Sequence, residues 1–163
     1  MAIYMQLSNI QGSVSTKGFE HMIELDSFDL GTSRNIKNKV GHQSDREYGV
    51  PNISDFIVSK MLDKSSPYLF EASLVGDSLG EVKIYACGSS GNSDKYLEYT
   101  FSDAMLSHYS IAGTANKEVD EKPYEILHLN FTKVEMKYIP RNSSNQALAP
   151  ISAGYNLVTA TKS

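Results

Sequence analysis

A single cysteine, Cys87, occurs among the 163 residues, so no disulfide can form within the chain. A reducing compartment is the simplest environment in which such a chain folds. Tryptophan is absent, whereas ten tyrosines and six phenylalanines are present. Because these aromatic side chains suit pleated, half-buried surfaces, the composition favours a β-rich protein.

Basic stripes and long apolar runs are also missing. The formal net charge is −4 and the sequence pI about 5.5, with basic residues scattered among acidic ones. Nucleic-acid binding requires clustered positive charge, so we expect no nucleic-acid partner. No stretch approaches the roughly 18–20 apolar residues of a membrane span, and we expect no membrane insertion. The opening MAIYMQLSNIQG has no charged segment followed by a sustained apolar run, so we expect no secretory signal peptide.

Strand-like runs recur along the chain, separated by turn residues. They cover residues 3–7, 19–30, 50–62, 79–87, 96–101, 105–112, 124–140 and 155–160. The apolar alternation changes phase within 124–140, YEILHLNFTKVEMKYIP: one parity carries Leu127, Leu129 and Phe131, the other Val134, Met136 and Tyr138. Two interpretations remain open. Either a β-bulge shifts the parity within one monomer, or a second face is buried against another copy or a partner.

One segment, DKSSPYLFEASLVG, predicts a short helix. Ser66 suits the N-cap, Pro67 the first helical position and Gly76 the C-terminal cap. Phe70 and Leu74 form an i,i+4 pair. About ten residues are too few for an isolated helix, so it must pack on the sheets. We therefore predict a mainly β fold, an antiparallel two-sheet β-barrel with one short flanking α-helix at about 66–75, in a single domain spanning 1–163.

Catalytic motifs are not recognisable. Ser107 and His108 are neighbours on a predicted strand and point to opposite faces, so they do not indicate a catalytic triad. The four histidines are His21, His42, His108 and His128. No two of them have the i,i+3 or i,i+4 spacing of a metal site on a helix, and there is no HExxH motif. We therefore predict no metal site, and a zinc site assembled from separate strands is the alternative that stays open. We expect no catalytic residues, no cofactor and no enzymatic activity.

Four segments occur in an order typical of one family. They are DKSSPYLFEASLVG (63–76), KYLEYTFSDAMLSHYSIAG (95–113), LHLNFTKVEMKYIP (127–140) and AGYNL (153–157). Together they resemble the Hcp family, the haemolysin-coregulated proteins of bacterial type VI secretion. The similarity is weaker over 29–50, where this chain is more charged than the glycine-rich loop common in the family.

The resemblance implies a structural subunit of the type VI secretion inner tube. Such subunits form homo-hexameric rings that stack, are propelled out by a contractile sheath beneath a spike protein, and carry or chaperone effector proteins in their lumen. The protein would reside in the bacterial cytoplasm before firing and then be secreted without a signal peptide.

The resemblance also implies candidate site residues. Those facing the lumen and the effector are Asp29, Gly31 and Ser33. A ring needs two different patches on each subunit, and a strand apolar on both faces would supply one of them, which makes Val134, Met136 and Tyr138 candidates for the subunit interface. The alternative is a monomeric β-barrel that binds a small molecule.

Overall fold

The computed structural model describes residues 1–38, 40–41, 46–88, 94–115 and 121–163, and for 46–48 the backbone alone. Within them lie twelve strands and one α-helix. The strands are β1 Ala2–Leu7, β2 Ile23–Leu25, β3 Ser27–Asp29, β4 Thr32–Asn38, β5 Arg46–Ile53, β6 Phe56–Met61, β7 Gly80–Cys87, β8 Lys95–Ala112, β9 Tyr124–Asn130, β10 Lys133–Tyr138, β11 Ile151–Asn156 and β12 Thr161–Lys162. The helix, α1, spans Ser66–Val75 and precedes β7.

Two antiparallel sheets share the long strand β8. The larger sheet has the order β12-β11-β10-β8-β7-β1-β2, and the smaller sheet has the order β8-β9-β6-β3. The two ends of this arrangement, β2 and β3, are consecutive in the chain and are joined through Asp26, whose N–H donates to the Ser59 carbonyl at 2.8 Å. The mainly β, two-sheet antiparallel fold is thus confirmed. The strands β2 and β3 are joined only by the covalent connection at Asp26, since no hydrogen-bonded ladder between them is seen in the described residues.

Three corners carry the chain from one sheet to the other. The first is Asp26, between β2 and β3; the second is Asp103, with a φ of 49°, within β8; the third lies at residues 131–132. The last corner divides the run predicted over 124–140 into β9, in the smaller sheet, and β10, in the larger sheet. The residues on both sides of this corner face the same core; they are Leu127, Leu129, Phe131 and Val134. The phase change is therefore an irregularity within one chain, and a second buried face is not needed to explain it.

Other predicted boundaries also shift at corners. The separate runs predicted at 96–101 and 105–112 form the single strand β8, because Asp103 bends the strand without ending it. The run predicted at 50–62 is broken by residues 54–55 into the end of β5 and all of β6. The strand β4 was not predicted, since its sequence, TSRNIKN, is mostly polar.

Aromatic side chains fill the space between the sheets. Neighbouring rings lie with centroids 4.6–6.0 Å apart, and they belong to Phe28, Phe56, Tyr99, Phe101 and Phe131. Aliphatic residues from both sheets complete this core. The interior is thus packed by the chain's own side chains, as in other small barrels.

The helix spans the predicted residues 66–75, but its N-cap lies one residue earlier than predicted. Ser65 is the N-cap, so Ser66 is the first helical residue and Pro67 the second. The reason is that the Ser66 hydroxyl is buried and accepts a hydrogen bond from the Asp63 N–H at 3.0 Å. Gly76 is confirmed as the C-terminal cap: its φ is 76°, and its N–H donates to the Ala72 carbonyl at 3.0 Å.

The helix packs on the core through Ser66, Leu69 and Ala72. Leu69 and Ala72 are buried in the core, whereas Phe70 and Leu74, the predicted i,i+4 pair, are exposed. Phe70 still makes an edge-to-face contact with Tyr109 of β8, with ring centroids 5.7 Å apart. The predicted packing of the helix on the sheets is therefore present, but through a different face.

Candidate assembly surfaces

The outward face of the smaller sheet carries Asp29. Side chains alternate along strands, and because Phe28 and Val58 point to the core, Asp29 and its partner Ile57 point away from it. The next strand continues this row with His128, the partner of Ile57. Asp29 is exposed, so its carboxylate is accessible to a ligand or to another protein.

Gly31 and Ser33 lie beyond this sheet. The Gly31 N–H donates to the Ser54 hydroxyl at 2.9 Å, and its carbonyl accepts from the Ser54 N–H at 2.8 Å. Ser33 belongs to β4, opposite Asn52 of β5. The three residues predicted for the lumen are all exposed, and they lead from the sheet into the β4–β5 hairpin.

The β4–β5 hairpin is a two-stranded sheet of its own. All seven side chains of β4 are exposed, and within the described residues neither strand pairs with a third strand. A two-stranded ribbon is marginally stable in water when nothing packs on it. Gly49 of β5 lies close to the backbone of β4, because a Cβ at this position would lie 2.9 Å from the Asn35 carbonyl oxygen. The hairpin therefore offers backbone and side chains to another molecule.

A second exposed surface continues the core face of the larger sheet. Val134 is only 8% exposed and lies opposite the core residue Phe101, but farther along β10 Met136 and Tyr138 are each 46% exposed. Ile151 of β11, the partner of Tyr138, is 65% exposed. We call Met136, Tyr138 and Ile151 the β10–β11 patch. It lies on the same side of the strand as Val134, where the smaller sheet no longer covers the larger one.

A buried polar network joins the helix to the smaller sheet. Lys60 Nζ lies 2.5 Å from Glu125 Oε2, and both side chains are fully buried. The Ser66 hydroxyl donates to the same oxygen at 2.7 Å, and the Tyr109 hydroxyl donates to Glu125 Oε1. Lys60 also contacts Asp63 Oδ1 at 3.0 Å. Among the described residues no buried polar side-chain atom is left without a partner.

The network sets two pKa values. Burial alone raises the pKa of Asp63, but the hydrogen bonds from Ser65 and Lys60 and the charge of Lys60 outweigh it, so this pKa is lowered. Burial raises the pKa of the Tyr109 phenol, and the hydrogen bond to Glu125 and the charge of Glu125 raise it further. These groups hold one protonation state at neutral pH, as suits a structural element.

Sequence patterning contained a signal for this network. Lys60 shares the strand parity of the core residues Phe56 and Val58, and Glu125 shares that of Leu127 and Leu129. A lysine and a glutamate on two otherwise apolar parities point to a buried ion pair. Their pairing across β6 and β9 is a tertiary fact, because it depends on the register Lys60 opposite Glu125.

Several chemistry-bearing residues lie in the described part of the chain. No group of three or more histidine, cysteine, aspartate or glutamate side chains there has the geometry of a metal site. The Ser107 hydroxyl donates to Asp55 Oδ2 at 2.6 Å. Cys87 is buried, and burial raises the pKa of its thiol, with Asp94 adding to the shift and Lys95 opposing it. His42 lies outside the described residues. In the part of the chain that the structure describes, no helix is long and apolar enough to cross a membrane.

These features define a class: an antiparallel two-sheet β-barrel whose exposed hairpin and apolar patch suit contacts between proteins. Residues 4–138 match the family model described as "Type VI secretion system effector, Hcp". The match covers most of the chain, which therefore belongs to the Hcp family of type VI secretion proteins.

Individual relatives agree with this assignment. The chain is 27% identical over 108 residues to protein hcp1 of Pseudomonas aeruginosa; the match covers 65% of this chain and 65% of that protein, slightly less than two thirds of either. A solved structure described as a type six secretion system protein superposes with a TM-score of 0.91 at 23% identity, covering 99% of both chains. Hcp1 from Salmonella typhimurium superposes with a TM-score of 0.79 at 19% identity, covering 99% of this chain and 98% of that one. At these identities the structural matches establish the fold.

Proposed function

We propose that this protein is a structural subunit of a type VI secretion inner tube, and that six copies close into a ring. The rings stack into a tube that a contractile sheath expels beneath a spike protein. The protein acts by assembly and makes or breaks no covalent bond. It is made in the bacterial cytoplasm and leaves the cell within the tube.

One observation carries the proposal: the chain presents two exposed surfaces of different kinds, the β4–β5 hairpin and the β10–β11 patch. A ring uses head-to-tail contacts, in which each subunit contributes two different surfaces. When a neighbouring subunit buries the apolar side chains of the patch, the free energy falls by roughly 25 cal/mol per Å² of apolar area, before the costs of association are subtracted. The patch residues Met136 and Tyr138 are thus our interface candidates, while Val134 supports them from the core.

The lumen is proposed to be lined by the outward face of the smaller sheet, with Asp29, Gly31 and Ser33. Six copies of Asp29 would place six carboxylates around one ring. Such a lining favours effectors whose contacting surfaces are polar or basic, because opposite charges attract across short distances in partly desolvated sites.

The test is the mass of the protein in solution and its appearance by negative-stain electron microscopy. We expect a species of about six times 18.0 kDa and annular particles with a central hole. The variant Met136→Glu should reduce the ring population strongly, since a charge buried without a partner is costly. The matched control is Val158→Glu, another exposed apolar residue outside the patch. A wild-type protein that stays at 18 kDa at every concentration would contradict the proposal.

The alternative, a monomeric barrel that binds a small molecule, has no observation in its favour. Aromatic side chains fill the interior, and the two cavities described have volumes of about 230 and 240 Å³ at the margins of the fold. Both are smaller than the roughly 300–1,000 Å³ typical of ligand pockets.

A further inference from the structure

A pair of histidines stands on the outward face of the smaller sheet. His108 of β8 and His128 of β9 are direct cross-strand partners, and their ring centroids lie 4.6 Å apart with an angle of 48° between the rings. His108 is exposed and His128 half-buried. The pair lies in the same row as Ile57 and Asp29.

A bulge in β8 creates this pair. Ala104 and Leu106 are buried in the core, so strict alternation would turn His108 inward as well. The register shifts between Leu106 and His108, and Ser107 is the additional residue. Bulges of this kind redirect side chains, and this one turns His108 outward, onto the face that carries His128.

The bulge is held in place by hydrogen bonds. The Ser107 hydroxyl donates to Asp55 Oδ2 at 2.6 Å and lies 3.3 Å from the His128 carbonyl oxygen. Asn130 donates from Nδ2 to the other carboxylate oxygen of Asp55 at 3.0 Å. Asp55 thereby fixes the position of both strands beside the two histidines.

The imidazole nitrogens themselves are free within the described residues. Neither His108 nor His128 makes a side-chain hydrogen bond to another described residue. Among the described residues, the polar or ring contact that these two side chains make is the one between their own rings. Imidazole nitrogens of two adjacent side chains can share one cation, since histidine is the commonest metal ligand in proteins.

The charge around the pair favours a cation. Asp55 contacts the bulge directly, and Asp29 lies two strands away, at roughly 10 Å by the spacing of strands. The outward-facing positions of this sheet carry no lysine or arginine in the described strands; they are Ser27, Asp29, Ile57, Ser59, Met61, Met105, His108, Ser110, Ala112, Tyr124, Ile126, His128 and Asn130.

The distance suits a particular class of metal ion. With a metal–nitrogen bond of about 2.0 Å, the ion lies roughly 3.2 Å from each ring centroid. Two ligands at a right angle then place the centroids about 4.5 Å apart, and two ligands at a tetrahedral angle place them about 5.2 Å apart. The observed 4.6 Å is closer to the value for a right angle, and square-planar or tetragonal coordination is the preference of Cu²⁺ and Ni²⁺.

We propose that His108 and His128 form a two-histidine site for one divalent transition-metal ion per chain, with water in the remaining positions. Cu²⁺ is the preferred ion, and Ni²⁺ and Zn²⁺ bind more weakly, in accord with the general order of affinities. The site is complete within one chain, so it does not depend on the proposed ring.

The test uses protein without a histidine tag, titrated calorimetrically with Cu²⁺, Ni²⁺ or Zn²⁺ alone. We expect one ion per chain, with Cu²⁺ bound most tightly. His108→Asn and His128→Asn should each weaken Cu²⁺ binding by at least about tenfold. Even the loss of a group that only hydrogen-bonds to a metal ligand lowers metal affinity by about tenfold or more. The control is His21→Asn: His21 is exposed in a turn with a φ of 65°, which asparagine tolerates, and Cu²⁺ affinity should not change.

Electron paramagnetic resonance of the Cu²⁺ complex distinguishes the site from loose surface binding. The wild type should show coupling to two imidazole nitrogens, and each single variant should show coupling to one. Circular dichroism checks that the variants are folded. Absence of Cu²⁺ binding, or equal binding by wild type and a double His108→Asn, His128→Asn variant, would overturn the proposal.

Discussion

Replacing Lys60 by methionine should destabilise the protein far more than the loss of an ordinary surface lysine. At 2.5 Å from Glu125, and with an effective dielectric constant near 20, the attraction between the two charges is about 6–7 kcal/mol. The desolvation of both groups offsets part of it. Methionine keeps most of the buried stem, so the lost free energy reflects the charge and its hydrogen bonds. For a buried charge left without its partner we expect a loss of about 3–5 kcal/mol.

Urea unfolding of the wild type and variants measures this loss. All proteins should be compared at one concentration, because assembly links stability to concentration. The control is Lys137→Met, since Lys137 pairs with Glu98 at 3.4 Å in a partly exposed position, and such pairs contribute less than about 1 kcal/mol.

The double variant Lys60→Met, Glu125→Leu separates pairing from packing. With both charges of the pair removed, the ion that loses its partner is Asp63, which is partly exposed and keeps the hydrogen bond from the Ser65 N–H. The double variant should therefore lose clearly less free energy than the sum of the two single variants. The reasoning is refuted if Lys60→Met costs no more than Lys137→Met, or if the losses from the two single variants simply add.

Two further predictions concern acid stability and the hairpin. The lowered pKa of Asp63 means that its carboxylate stabilises the fold above the ordinary value of 3.8 and that this contribution disappears as the pH falls through the lower folded value. Asp63→Asn should therefore be less stable than wild type at pH 7 and lose this difference in acid, as urea unfolding against pH will measure; a gap that persists unchanged in acid would contradict it. Gly49→Ala should reduce ring formation in sedimentation experiments, because its Cβ would lie 2.9 Å from the Asn35 carbonyl oxygen and displace the hairpin. Gly31→Ala, whose Cβ meets only the Ser54 hydroxyl at 3.7 Å, is the matched control, and equal behaviour of the two variants would show that the hairpin has no part in assembly.

Several features could be predicted because they depend on neighbours in the chain. Pro67 near the start and Gly76 at the end delimit the helix, since a missing N–H is harmless in the first turn and glycine readily adopts a positive φ. Alternating apolar residues predicted most of the strands that form the core. Four segments in order were enough to indicate the Hcp family, and the family model confirms it.

Positions that depend on contacts far apart in the chain were not predictable. The phase change between Phe131 and Val134 left two interpretations open, and only the passage of the chain between two sheets decided between them. The placement of Asp29, Gly31 and Ser33 in the lumen remains a proposal, because it concerns contacts between chains.

The sequence by itself determined the class of fold, the helix and the family, since local backbone preferences and side-chain periodicity encode them. The tertiary structure decided which polar groups meet. Lys60 and Glu125 are 65 residues apart, and His108 faces His128 only because a bulge at Ser107 reverses the direction of its side chain. Strand register and bulges arise from the packing of the whole sheet, so pairs of this kind become visible only when the chain is folded.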